Sequence, residues 1–487
     1  PDTSQVPPDQ AVDGYTTNVA SNFVTQDYID AYSSVAQALA ARVLNESYAQ
    51  VVPCQTQDMA CATQFITTFG LRAFRRPLTT DEITRYSGFF ATSLTMGDFK
   101  TGVSLVLQGM LISPNFLFRS ELGQDNGQGV FVLTPYETAS ALSYTFWGTM
   151  PDDTLFAAAQ SGELSTKAQI QTQAQRLLAD PRGRSRIASF FYEWMQGSRA
   201  NISTPDKGTY PAIYAAPGGF PAIVKAMRDE ADAFVTNVAF DSTKKFSELL
   251  SANYTFANDT LAAYYGLTPP GSPTTPVKVN IGPNSARGGI LTLGMYLLGH
   301  ARTNESSPTQ RGHQIRANIL CEDVPPPPPG VDPVVPAGAP GNTGRDQIQA
   351  LTGSGICNNC HSLMNPIGFG LEKFDGAGQE RTLDNGYPID ATGQLTGFND
   401  SSGHLIKFDG ARQESDLLST YPTAQACFAA NYYRYARGFA PQDLDKGAVQ
   451  KLQQHFVETN EDLPELFVDV VLQDSFVQRR NAEVIKP

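Results

Sequence analysis

Cys357-Asn358-Asn359-Cys360-His361 is the stretch that decides how this chain is read. Two thiols three positions apart, followed at once by an imidazole, have the spacing to hold a haem covalently. Each thiol can add across one haem vinyl group, and the adjacent histidine then lies beneath the iron as its fifth ligand. Two other chemistries use similar spacings. A thioredoxin-like redox pair opens a helix after a strand, and the preceding Thr352-Gly353-Ser354-Gly355 segment offers no such strand. A structural zinc site needs four ligands, and no second Cys or His pair at short spacing is available. The expected cofactor is therefore one covalent haem c, held by Cys357 and Cys360 with His361 as proximal iron ligand.

The remaining cysteines fit an oxidising compartment. Six are present, and the motif leaves an even four: Cys54, Cys61, Cys321 and Cys427. Cys54 and Cys61 bracket a short polar loop, which suggests a local disulfide. Cys321 and Cys427 would then pair across the haem segment, worth about 4 kcal/mol on the chain-entropy model. Four unpaired buried thiols are the alternative. Covalent haem attachment is itself a mark of export in bacteria, so the expected location is periplasmic or extracellular. The polar, proline-rich Pro1 to Gly14 stretch, with no basic and apolar leader pattern, reads as a processed N-terminus.

Composition narrows the partners. The 487 residues exceed one hydrophobic core. Hydrophobic residues make up 41% and charged ones 17%, the pattern of a globular chain with long loops. A net charge of −13 argues against nucleic acid, which needs a basic face. No apolar run approaches the roughly 20 residues of a membrane helix, so no transmembrane segment is expected.

The periodicity is mainly α. Tyr32, Val35, Ala36, Leu39 and Val43 recur at helical spacing, and Cys61 to Phe74 continues in that style. Thr79 with Glu82 and Thr134 with Glu137 read as capping boxes. Further helices are expected from Lys167 to Leu178, Arg184 to Met195 and Ile223 to Phe240. The stretch Leu291 to Leu298 reads as one apolar helix. Five prolines, Pro325 to Pro329, mark the clearest boundary. Strand-like pieces lie near Tyr387 to Ile389 and Leu405 to Phe408, and closing helices near Ala424 to Tyr435, Lys446 to Phe456 and Leu463 to Leu472. The organisation expected is a remnant of an N-terminal helical domain (1–50), a helical domain (51–125), a second one (126–285), a cytochrome c-like haem domain with a few short strands (286–415, entered by a polyproline linker at 325–344) and a C-terminal helical domain (416–487).

The far side of the iron is the open question. Small cytochromes c take a methionine well downstream of the motif, but the last methionine here is Met364, close behind His361. A distal ligand must come from elsewhere. His300, at the end of the Leu291 to Leu298 stretch, is one candidate, and Met295 on the same stretch is another. His404 could close over the haem locally, whereas His313 and His455 fall on polar helical faces. With no protein ligand the iron would be open to peroxide or dioxygen. Arg302, Glu305 and Arg311 could then polarise the bound molecule, hold haem propionates or face water.

The segment after the motif carries more. Met364-Asn365-Pro366-Ile367-Gly368-Phe369-Gly370-Leu371-Glu372-Lys373-Phe374-Asp375 resembles a block of the planctomycete-type cytochrome c domain proteins, exported multidomain bacterial proteins of unknown function. Asn365 stands where that family usually has aspartate. The resemblance extends over nearly the whole chain. It includes Arg72-Ala73-Phe74-Arg75-Arg76-Pro77-Leu78, Ser113-Pro114-Asn115-Phe116, Leu142-Ser143-Tyr144, Tyr254-Thr255-Phe256-Ala257-Asn258, Ser307-Pro308-Thr309-Gln310-Arg311-Gly312 and Tyr433-Arg434-Tyr435-Ala436-Arg437-Gly438. Relatives carry a further helical stretch ahead of Pro7 to Tyr32. The resemblance thus implies that an upstream piece is removed by processing or supplied by a second chain.

Three functions follow as expectations. The first is one-electron transfer by an exported c-type haem protein, docked to a protein redox partner or a larger extracytoplasmic assembly. The second is a haem enzyme of peroxidase or oxygenase type with an open distal site. The third is a surface interaction protein in which the haem serves folding. Whether the chain is an enzyme is left open by its sequence.

Overall fold

The computed structural model describes residues 6–12, 14–21, 24–95, 98–196, 202, 204–324, 341–439 and 445–480. Residues 325–340 of the expected polyproline linker, and Pro1 to Gln5 and Asp13 of the N-terminal stretch, lie outside them. The chain is mainly α, with a few short strands in small sheets. It divides into two compact units: residues 1–12, 18–186 and 470–487 form one, and residues 13–17 and 187–469 form the other.

In the first unit, Gln26–Arg42, Met59–Phe74, Thr80–Thr95 and Phe99–Leu111 pack around Phe65, Ile66, Phe90, Phe99, Val103 and Met110. Three of these four starts have a side-chain cap; Gln26–Arg42 has none. Asp58 accepts the Cys61 N–H at 2.8 Å, and a Cys54–Cys61 disulfide ties the same turn to the preceding loop. Thr79 and Glu82 satisfy each other's backbone N–H groups, so two donors that a helix start leaves unpaired are both used. Thr134 and Glu137 repeat the device at Pro135–Trp147. Strand Val130–Val132 pairs antiparallel with Gln124–Asp125 on one side and Gln478–Arg480 on the other, which brings the C-terminal stretch into this unit.

In the second unit, helix Gly219–Thr236 and the hairpin Tyr254–Ala257 with Val277–Asn280 share a core with Ile223, Met227, Leu261, Met295 and Leu298. Glu230 is fully buried there. It accepts from Thr255 Oγ1 at 2.5 Å, Tyr265 Oη at 2.7 Å and the Gly294 N–H at 3.2 Å. That last bond corrects the single helix expected from Leu291 to Leu298. The chain makes a 3-10 turn at Ile290–Thr292, breaks at Leu293, and starts helix Gly294–Gly299 where Glu230 holds the first N–H. An aromatic cluster of Phe190, Trp194, Phe428 and Tyr432 joins helix Pro422–Arg437 to the rest of the unit, with ring centroids 4.9 to 6.3 Å apart. The disulfide Cys321–Cys427 lies beside it, and Trp194 donates to the Asn318 carbonyl at 2.8 Å.

Candidate functional site

Helix Gly355–Gly368 carries the motif, all within the second unit. At helical spacing, Cys357, Cys360 and His361 share one side of it, because positions three and four apart are neighbours on a helix. All three are half-buried, and both thiols are unpaired while the other four cysteines are bridged. Beside them the apolar side chains of Ile356 and Leu351 are 69% and 37% exposed.

The imidazole is oriented by a short chain of hydrogen bonds. Thr352 Oγ1 donates to the Ile348 carbonyl at 2.6 Å, so it receives the bond from Asn365 Nδ2 at 3.0 Å as an acceptor. This fixes which end of the Asn365 amide faces the histidine. Asn365 Oδ1 lies 3.2 Å from His361 Nδ1 and also accepts from Thr309 Oγ1 at 2.8 Å. An acceptor in that place puts the proton on Nδ1 and leaves the Nε2 lone pair for a metal. Two unpaired thiols, an imidazole whose Nε2 has no hydrogen-bond partner among the described residues, and apolar side chains left uncovered are the donor set and surroundings that a covalent haem requires. The residues fit the group.

The motif helix is held from behind by helix Pro308–Gln314, which runs on as a wider turn over Ile315–Ile319. The two backbones meet at Gly312 and Gly368. A Cβ on Gly312 would collide with the Met364 carbonyl, and one on Gly368 with the Pro308 carbonyl. Only glycine permits so close an approach.

Arg311 explains the block that follows the motif. Its side chain is fully buried. Nη1 donates to the carbonyls of Leu371 and Phe374, both at 2.9 Å, and Nη2 to that of Asp375 at 2.7 Å. Leu371 and Phe374 are buried, and Glu372 accepts from Ser306 Oγ at 3.1 Å and from Arg381 at 3.2 Å. Asp375 accepts the N–H groups of Ala377 and Gln379, both at 2.9 Å. The block is a clamp around one guanidinium. Arg311 is therefore unavailable to a bound peroxide, and Arg302 pairs with Glu305 at 2.8 Å.

The two distal candidates sit on the short helix that ends at Gly299. His300 is buried, its Nδ1 lies 2.8 Å from the Tyr296 carbonyl, and its ring packs against the Tyr296 ring. Burial pushes its pKa down to about 4, so the ring is neutral at physiological pH. Met295 is buried in the core with Met227 and Leu298 and lines a small apolar cavity with Phe191, Val235 and Leu293. His404 is exposed beside Asp400. One further group was not legible as a site residue. Glu414, on helix Gly410–Thr420, is fully buried near Gly370 and Phe408, and neither carboxylate oxygen has a hydrogen-bond partner among the described residues.

The class defined by these features is a mainly helical, multi-segment chain with a c-type attachment motif on a clamped helix. Three family models match it, each described as a protein of unknown function: PSD5 over residues 61–121, PSD4 over 133–267 and PSCyt3 over 287–384. Together they cover most of the chain, which belongs to the planctomycete-type cytochrome c domain family. The third match contains Cys357 to His361, and its name points to a cytochrome c-like domain. No curated protein and no solved structure matches the chain. Among the described residues no helix is long and apolar enough to cross a membrane.

Proposed function

We propose that this chain is an exported c-type haem protein that transfers single electrons to or from a protein partner. Cys357 and Cys360 would hold the haem through thioether bonds, with His361 as proximal ligand. The observation that carries this reading is the pair of unpaired thiols beside an imidazole whose proton is held on Nδ1 by Asn365. When bound, the haem supplies a one-electron iron couple. The protein's own contribution is to fix the tautomer of His361, hold its helix rigid through the Gly312–Gly368 crossing, and keep the following segment clamped on Arg311. The two disulfides support an oxidising compartment, periplasmic or extracellular. His300 is proposed as the distal ligand: burial keeps it neutral, its Nδ1 faces the Tyr296 carbonyl, and ligation through Nε2 would displace the side-chain hydrogen bond it shares with Gln314.

The test is spectroscopic. The chain, expressed with a cytochrome c maturation system, is denatured in alkaline pyridine. A haem c absorption that disappears when Cys357 and Cys360 are both replaced by Ala is expected. Absence of haem absorption in the unaltered chain would refute covalent attachment. Adding carbon monoxide to the reduced protein should leave the Soret band in place. A shift at neutral pH would replace the electron carrier with a haem enzyme open on its distal face. His300→Ala should create that shift, and an unchanged spectrum would remove His300 as ligand.

A further inference from the structure

A second constellation lies on the closing helices of the same unit, apart from the motif helix in sequence. His455 is on helix Lys446–Glu458, and Glu465 and Asp469 are one turn apart on helix Leu463–Leu472. The turn between these helices passes through Asn460 and Glu461, both with left-handed backbone angles (φ 57° and 63°). It returns the second helix alongside the first. His455 Nε2 then lies 3.1 Å from Asp469 Oδ2 and 3.7 Å from Glu465 Oε1. One ligand atom from each of the three residues falls within 4.8 Å of the others. Glu458 adds a fourth group, 3.9 Å from Nδ1.

Three carboxylates thus face one imidazole. Carboxylates four apart on a helix repel each other, and Glu458 stands on the far side of the ring. Glu461, in the turn, is occupied elsewhere: it accepts from the Ser247 N–H at 3.1 Å and from Gln425 at 2.6 Å. A divalent cation would neutralise the group even where the imidazole is uncharged.

We propose that His455, Glu465 and Asp469 bind one first-row divalent cation of the Zn²⁺ type, which clasps the two closing helices together. One imidazole nitrogen with two carboxylate oxygens is a donor set that zinc accepts, whereas calcium and magnesium favour oxygen alone. Donors around a metal with bonds of about 2.1 Å stand roughly 3 to 3.5 Å apart. The observed separations need only a small inward turn of His455 and Glu465, whose side chains are 45% and 49% exposed and have room to make it. Asp469, at 14%, is the fixed member. Three protein ligands leave a coordination position for water.

Isothermal titration of ZnCl₂ into the full chain, alongside His455→Ala and Glu465→Gln, tests this. Cys357, Cys360 and His361 can also take up zinc in chains that lack haem, so the informative quantity is the difference between variants. The unaltered chain should bind one more zinc ion than His455→Ala. Glu465→Gln, at an exposed position that keeps the fold, should weaken that same site by about ten-fold or more. Zinc should raise the melting temperature of the unaltered chain more than that of either variant, and magnesium should not. Equal stoichiometry and affinity in the three proteins would overturn the proposal. So would a His455→Ala destabilisation of equal size with and without zinc, which would mark a plain ion pair.

Discussion

His361 and Asn365 are bonded one helical turn apart, Nδ1 to Oδ1 at 3.2 Å. An amide oxygen holds the imidazole proton without adding charge. A carboxylate in its place would pull that proton closer and make the ring a stronger donor to iron, which favours the oxidised form. Asn365→Asp should therefore lower the reduction potential in a potentiometric titration. An unchanged potential would show that the Nδ1 partner does not tune the iron. Asn365→Ala removes the bonds to Thr309, Thr352 and His361 from a buried position, and should cost about 1 to 3 kcal/mol in denaturant unfolding.

The helix crossing behind the motif makes a prediction of opposite sign at two kinds of glycine. Gly312→Ala and Gly368→Ala force a methyl group against a carbonyl of the facing helix. Each should destabilise by about 1 to 3 kcal/mol, because backbone cannot move aside as a flexible side chain can. Gly88, inside helix Thr80–Thr95, has nothing within 4 Å of a built Cβ. Gly88→Ala should stabilise by up to about 1 kcal/mol through helix propensity alone. Melting curves of the three variants check both signs.

Local chemistry was the legible part of this fold. The capping boxes at Thr79 and Thr134 are contacts between residues three apart, so the sequence alone contains both partners. The strand Thr392–Asn399 escaped notice because it carries two glycines, and of its side chains only Leu395 and Phe398 are buried. The break at Leu293 depends on Glu230, far away in sequence. The motif itself was readable, but its orienting set was not. Thr309 and Thr352 reach Asn365 only after two helices have packed. His455 read as a solvated histidine for the same reason, since Asp469 meets it across a helical hairpin. Arg311 read as a possible distal group, and nothing local revealed that it would be enclosed by four residues of the following block.

The two disulfides should differ in their worth. Cys321–Cys427 closes a separation of 106 residues and Cys54–Cys61 one of 7. On the chain-entropy model these correspond to about 4 to 5 and about 2 to 2.5 kcal/mol. Replacing Cys321 and Cys427 together by Ser should thus lower the urea midpoint more than replacing Cys54 and Cys61. Equal losses would mean that the unfolded chain is already compact around the haem segment, so that the longer link removes little freedom.

Glu414 sets a pH dependence with a definite sign. Burial raises its pKa well above the ordinary 4.5, and neither oxygen has a hydrogen-bond partner among the described residues to offset that burial. The folded chain keeps this carboxyl protonated where the unfolded chain has released the proton. The folded state then binds more protons, and stability falls as pH rises from about 4.5 toward the raised folded value. Glu414→Leu keeps the volume and removes both unsatisfied oxygens. It should stabilise by about 1 to 3 kcal/mol at neutral pH. The advantage should grow between pH 5 and pH 8, since only the unaltered chain has a proton to retain there. Urea unfolding of both proteins across that range reads the difference directly. A gap that stays constant with pH would show that Glu414 ionises normally, which would require water or a partner at its oxygens.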